Sequence, residues 1–443
     1  MPRLQVLIAL FACLAALALG LAACGGDDDE GGDSGVEALS SDFCTDVEYG
    51  GEDEADVLIA SDLPMQGDSA ERSQQMVDAI KIQLENAEWK AGDTGVAFQA
   101  CDDSLADTGE WDERQCQDNA EAYAANPDVV GVIGTYNSGC AAIEIPILNE
   151  APDGGVAMVS PGNTLICLTE DSPSCDPEDP DVYYPSGERN YARVVPNDAA
   201  QGAGLAEFAQ NQGVTSPYVL FAADDPTSRG QADTFVGAAQ ELGLDVSGLD
   251  VWDPEAPNYD ALMDRVAEAS PDAVILAGLL EQNGAKLIKD KVAVLGDNES
   301  VRLLAFDGFA QQATIDDAGP DAAGMFASVP GRTPDSLKGP GKELVSTLES
   351  DLGGDTPVEL FAPYSAQAAD LLLQTIESGS SRSEVIEALF GAKIEDGIVG
   401  SFEITRTGDP SVSPISVSEA ADAFELSEEI TPEQATIDAA RGS

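Results

Sequence analysis

The chain has 443 residues with 82 acidic against 20 basic side chains, and a net charge of −62 excludes a binder of phosphate backbones, which needs basic stripes. It contains no histidine, which removes Ser-His-Asp and Cys-His catalysis and His-based metal sites. A hydrophobic content of 43% is enough for real cores, and the roughly 400 residues past the N-terminal apolar run suit two domains.

The first 23 residues read as a secretory signal: Arg3, an apolar run from Leu4 to Ala23, then small residues. The run is long enough for an anchor helix, which needs about 20 apolar residues. Leu21-Ala22-Ala23-Cys24, however, resembles the lipobox of bacterial lipoproteins, in which the cysteine is acylated and becomes the mature N-terminus. Residues 24–43 are expected to form a lipidated, acidic, disordered tether, since Gly25 to Gly35 offers no apolar face to offset the cost of ordering.

From Asp56 onward, short apolar runs alternate with helical periodicity. Strands are predicted at Val57–Ala60, Val96–Phe98, Val129–Gly134 and Val156–Val159, and helices at Ser69–Trp89, Asp112–Ala125 and Gly139–Asn149, the last kinked or shortened by Pro146. Val129–Gly134 hardly alternates, as suits a strand covered on both faces. A polar insertion runs from Leu165 to Arg189. The pattern then restarts, with strands at Val219–Ala222, Val246–Val251, Ala273–Ala277, Val301–Phe306 and Met325–Val329. Helices are predicted at Gly230–Leu242, Tyr259–Ala269, Gln282–Leu295, Gly341–Leu352 and Tyr364–Glu377, and patterning weakens after Ser401.

Two such series mean an α/β fold: two Rossmann-like lobes with parallel sheets, joined by a hinge with a ligand cleft between them. The expected division is lobe 1 over 44–195 with a C-terminal return near 360–400, lobe 2 over 196–355, and a C-terminal segment over 401–443.

Beyond Cys13 and Cys24, six cysteines remain, an even number that implies disulfides in an exported chain. Six allow fifteen pairings. Spacing suggests Cys167–Cys175 around a short loop and Cys116–Cys140 flanking a strand, which leaves Cys44–Cys101. With no CxxC spacing, no metal site is expected, and no cofactor.

In open parallel sheets, ligands bind beyond the carboxyl ends of strands. There stand Thr135-Tyr136-Asn137-Ser138-Gly139, Ser160-Pro161-Gly162-Asn163-Thr164 and Asp307-Gly308-Phe309. Singly, Ser138 reads as a helix cap, Thr164 as a turn residue and Asp307 as a solvated acid. Their common placement at strand ends in both lobes raises the odds of a site.

The order of these motifs resembles type I periplasmic binding proteins, most nearly the leucine/isoleucine/valine-binding branch of bacterial ABC importers. The resemblance covers about Asp56 to Gly400. It rests on Gly131-Val132-Ile133-Gly134 with Ser138, Met158 to Thr164, Asn197-Asp198 with Gln201-Gly202, the Gly230 to Phe235 spacing, and Asp307-Gly308.

By position, the resemblance implies that the Ser138 hydroxyl and the Gly139 and Thr164 N–H groups hold a ligand carboxylate. The Gly162 carbonyl and Thr164 hydroxyl would accept from its ammonium, and Asp307 would supply the counter-charge. Thr227, Leu279 and Leu280 stand where the family commonly has aromatic pocket walls, so an amino acid or analogue is implied rather than leucine specifically. The implied protein is no enzyme: a monomeric, lipid-anchored, extracytoplasmic receptor that closes on a solute and delivers it to an ABC permease. A sensory receptor of the same fold that docks on a signalling partner is one alternative. A His-free hydrolase on a two-lobed α/β fold is the other.

Overall fold

The computed structural model describes residues 35–106, 109–223, 225–354 and 356–442. The expected signal segment and Cys24 lie outside the described residues. Among those residues, no helix is long and apolar enough to cross a membrane.

The apolar run Val57–Ala60 at the start of the first series opens β1 (Val57–Leu63), buried along its whole length. Then come α1 (Ala70–Asn86), β2 (Lys90–Ala91), β3 (Thr94–Asp102), α2 (Glu113–Ala125), β4 (Val129–Gly134), α3 (Ser138–Asn149), β5 (Ala157–Ser160) and β6 (Tyr191–Arg193). The strands make one sheet in the order β2-β3-β1-β4-β5-β6. Only β2 runs antiparallel to its neighbour. Burial on both faces is why these strands lack alternation. Pro146 does not shorten α3: it sits inside a helix that runs on to Asn149. Burial of Ala141, Ile145 and Leu148 on one side holds it despite the missing N–H.

The second series starts with α4 (Asp198–Asn211), which the periodicity does not reveal because nearly every side is buried, with no polar stripe. A Cβ at Gly202 would lie 2.3 Å from Thr234 Oγ1, so glycine is what lets this helix approach its neighbour. There follow β7 (Pro217–Ala222), α5 (Pro226–Glu241), β8 (Gly248–Trp252), α6 (Asp260–Ala269), β9 (Ala273–Ala277), α7 (Gly284–Leu295), β10 (Arg302–Ala305), α8 (Gln312–Ala318) and β11 (Phe326–Pro330).

The chain then continues through α9 (Pro340–Asp351), α10 (Ala362–Ser378), α11 (Arg382–Leu389), β12 (Lys393–Gly397), β13 (Gly400–Glu403), β14 (Ile415–Ala420), β15 (Phe424–Ile430) and α12 (Gln434–Ala440). The second sheet has the order β15-β14-β11-β10-β9-β7-β8. Its last two strands, β14 and β15, are antiparallel.

Three expected boundaries shift. Residues 36–43, read as tether, lie on the first lobe: Leu39 is buried among Leu58, Ala60 and Ala97, and its N–H donates to Gln99 Oε1 at 2.9 Å. Helix α9, assigned to lobe 2, buries Leu344 and Leu348 in the core that contains Ile59 and Phe98 of the first sheet. Finally, the segment after 401 completes the second sheet through β14 and β15.

The chain therefore passes between lobes after β6, after β11 and after β13. Fully buried Arg193, at the first crossing, ion-pairs with Asp409 of the third at 2.8 Å. Asn197 Nδ2 donates to the same carboxylate at 3.2 Å.

The disulfides are Cys44–Cys101, Cys116–Cys140 and Cys167–Cys175, the pairs suggested by spacing. The last lies in the 165–189 insertion. There Ile166 enters the core of the second lobe, and Glu170 pairs with Arg441 at 2.6 Å.

Candidate functional site

Two loops at the carboxyl ends of β4 and β5 are locked together by one side chain. Asn163 is buried, and its Nδ2 donates to the Thr135 and Tyr136 carbonyls at 2.9 and 3.1 Å. Its own Oδ1 accepts from the Tyr191 hydroxyl at 3.0 Å, and its carbonyl from Arg193 Nη1 at 2.9 Å. Ser160 Oγ donates to the Thr135 carbonyl at 3.0 Å and accepts from the Asn163 N–H at 2.8 Å. The strut fixes Gly162 and Thr164 against the start of α3.

The start of α3 carries backbone donors without a side-chain cap. The capping position, Asn137, makes no side-chain cap bond. The first N–H groups of a helix have no intrahelical acceptor and carry the positive end of the dipole. Ser138 begins the helix, and its Oγ accepts from the Leu165 N–H at 3.4 Å, leaving its proton free to donate. A Cβ on Gly139 would meet the Trp111 ring at 2.4 Å, and one on Gly162 would meet Tyr136 Cδ2 at 3.2 Å. These glycines let two aromatic rings close on the backbone.

The opposite corner collects acceptors. The Asp198 N–H donates to the Thr164 carbonyl at 2.9 Å, joining the α4 start to the first-lobe loop. Asp307, just past β10, accepts from Gln201 and Gln231 amides at 3.0 and 3.2 Å. Burial raises the Asp307 carboxyl above its ordinary pKa. Burial first, then the charge of Asp307, pushes the Asp198 carboxyl up to about 7. Asp198 Oδ1 and Gln201 Oε1 are buried with no hydrogen-bond partner. Two carboxyls and a spare amide oxygen thus converge, and the Arg193 guanidinium whose charge reaches Asp198 is already held by Asp409.

The remaining expected residues sit on the second-lobe side. Leu279 lies against Gly308, where a Cβ would come within 2.7 Å of its Cδ2, and is exposed, while Leu280 is buried. Thr227, in the first turn of α5, donates its N–H to Asp225 Oδ1 at 2.9 Å. Asp225 also accepts from Ser228 and Gln282, closing a separate polar knot.

Sequence reasoning named Asp198 and Gln201 only within a motif, missed Gln231 as a partner of Asp307, and did not place Trp111, Tyr136 and Arg72 beside α3. Tyr136 lies within a strand-end loop, which is a usable signal. The others are visible only through contacts between distant elements.

A family model described as "Periplasmic binding protein" matches residues 57–423. A Leu/Ile/Val-binding protein homolog 2 from Brucella abortus is 23% identical over 377 residues, covering 84% of this chain and 92% of that protein. A leucine binding protein from Thermotoga maritima superimposes with a TM-score of 0.69 at 21% identity, covering 85% of this chain and 99% of the other. A solute binding protein from R. palustris in complex with 4-hydroxybenzoate gives a TM-score of 0.67 at 15% identity, over 85% and 97%.

Proposed function

This chain belongs to the periplasmic binding protein family, and from that premise we propose that it is the extracytoplasmic receptor of an ABC importer and binds an α-amino acid or close analogue between its lobes. The observation that carries the ligand class is the charge layout. On one side lie the open α3 N-terminus and the Ser138 hydroxyl, suited to a carboxylate. On the other, Asp307 and Asp198 form no ion pair among the described residues, and Asp198 Oδ1 and the spare Gln201 oxygen have no donor, which an ammonium would supply. A solute that joins both sides favours the closed arrangement in proportion to its differential affinity for it. Hydroxyls, N–H groups and carboxylates suffice for this task, and no cofactor is invoked.

A thermal-shift screen tests the ligand class. α-Amino acids are compared with their des-amino acids and with short amides. At least one amine-bearing acid raises Tm more than its des-amino counterpart; shifts confined to compounds without an amine contradict the reading. The fold neighbour holding 4-hydroxybenzoate makes that control necessary.

The proposal includes anchoring through Cys24, supported by Leu21-Ala22-Ala23-Cys24 and the acidic stretch that follows. Cys24→Ser should abolish lipid labelling and release the protein or leave an unprocessed precursor. Labelling that survives the substitution contradicts the anchor.

A further inference from the structure

We propose that Arg72 is an anion subsite in the cleft, and that the solute carries a second acidic group in addition to the amino-acid grip; this rests on the binding reading above. The argument begins with scarcity. The chain has 82 acidic and 20 basic side chains, so an arginine near this surface has many carboxylates to choose from. Arg72 takes none: among the described residues it forms no ion pair, and its one hydrogen bond is from Nη2 to Ser69 Oγ at 3.1 Å. Its Nε is shielded from water and has no acceptor.

The position is also unusual for a cation. Arg72 stands in the first turn of α1, where the helix dipole favours acids. What holds it is the Tyr136 ring, with the guanidinium carbon 4.1 Å above the centroid. Tyr136 is itself braced edge-on by Phe361 at 5.4 Å. Because Tyr136 directly precedes Asn137 and Ser138, the charge is presented beside the open start of α3 rather than to bulk solvent.

Charges of the other lobe reach this site. Burial pushes the Tyr136 hydroxyl up; Arg72 then pulls it down, and Asp307, Glu359 and Glu281 push it up again. Asp307 and Glu281 both follow strands of the second sheet, so Tyr136 and its arginine lie within electrostatic reach of that lobe. Burial pushes the Glu359 carboxyl up and the charge of Arg72 pulls it down, yet the two make no ion pair among the described residues. A stacked guanidinium keeps its in-plane N–H donors for a planar carboxylate, the geometry in which arginine is most selective. An otherwise strongly anionic protein would bind an acidic solute poorly without such a local reversal of sign.

The test uses matched probes on the mature protein at fixed ionic strength: L-glutamate with L-glutamine, L-aspartate with L-asparagine, L-leucine, and the amine-free dicarboxylates glutarate and succinate. Titration calorimetry is run on the parent chain, Arg72→Gln and Arg72→Lys. The acidic member of a pair should bind at least about tenfold more tightly than its amide, a difference of about 1.4 kcal/mol. Arg72→Gln should erase that preference, and Arg72→Lys should keep part of it.

Equal binding within pairs, or a preference that survives Arg72→Gln, overturns the subsite. Binding of L-leucine with rejection of L-glutamate overturns it while leaving the amino-acid reading intact. Dicarboxylate binding that depends on Arg72, without amino-acid binding, upholds the subsite and removes the ammonium reading. Binding of no probe overturns the subsite. An Arg72→Gln chain that loses affinity equally for acid and amide also overturns the subsite.

Discussion

Asp198 carries much of the electrostatic argument at the scale of single residues. Its carboxyl is pushed up to about 7, chiefly by burial and then by Asp307. Below that pH it holds a proton; above it, the corner gains a second negative charge. A bound ammonium favours the ionised form, so binding should release a proton as the pH falls toward and below 7, and affinity should weaken there. Calorimetry of the screened ligand in buffers of different ionisation enthalpy, from about pH 8 to about pH 6, checks this. Affinity that stays flat across the window would mean Asp198 does not face the ligand. The positions of Ser138, Thr164 and Asp307 were legible in the sequence because each follows an apolar strand run. Asp198 is visible in the sequence only as part of a motif, because the burial that leaves its Oδ1 without a donor is a three-dimensional fact.

Elements were legible in proportion to how their burial is patterned. β4 and β9 occupy their predicted residues because a strand covered on both faces reads as an unbroken apolar run. α4 left no signal because burial on nearly all sides removes the stripe. β15 left none for the opposite reason: Phe424–Ile430 is mostly exposed and acidic.

α11 is short and would be marginal alone, yet it is anchored by Arg382. That buried guanidinium donates to the carbonyls of Tyr123, Ala124 and Asn126, which close α2, and to those of Val129 and Pro152. It therefore satisfies orphan carbonyls at a helix end as well as a strand and a turn. Arg382→Ala strands several acceptors, each costing about 1–3 kcal/mol. We expect a loss of at least about 3 kcal/mol in chemical denaturation, with an unchanged midpoint as the contrary result.

At the scale of the whole molecule, the alternation of strands and helices disclosed two lobes, and the two sheets are those lobes. The path between them was not legible. Nothing in the periodicity of α9 says that Leu344 and Leu348 belong with the first-lobe core, since an amphipathic helix carries no label for the sheet it covers. Nor does weak patterning after 401 announce two strands that finish the second sheet. Three crossings connect the lobes, and Arg193 and Asn197 of the first are stitched to Asp409 of the third; the start of α3 and the Asp198–Asp307 group are the two corners of the proposed site.

The central claim is that a solute with an ammonium spans those corners, and Asp307→Asn tests it most directly. The substitution keeps the size and one acceptor oxygen while removing the charge. Truncating one partner of a desolvated charge pair typically costs about 2–5 kcal/mol. Titration of the screened ligand into the parent and variant chains should show affinity falling by more than about tenfold, with the unfolding temperature little changed. Equal affinity for parent and variant would contradict the account and reduce Asp307 to a strand-end acid satisfied by Gln201 and Gln231.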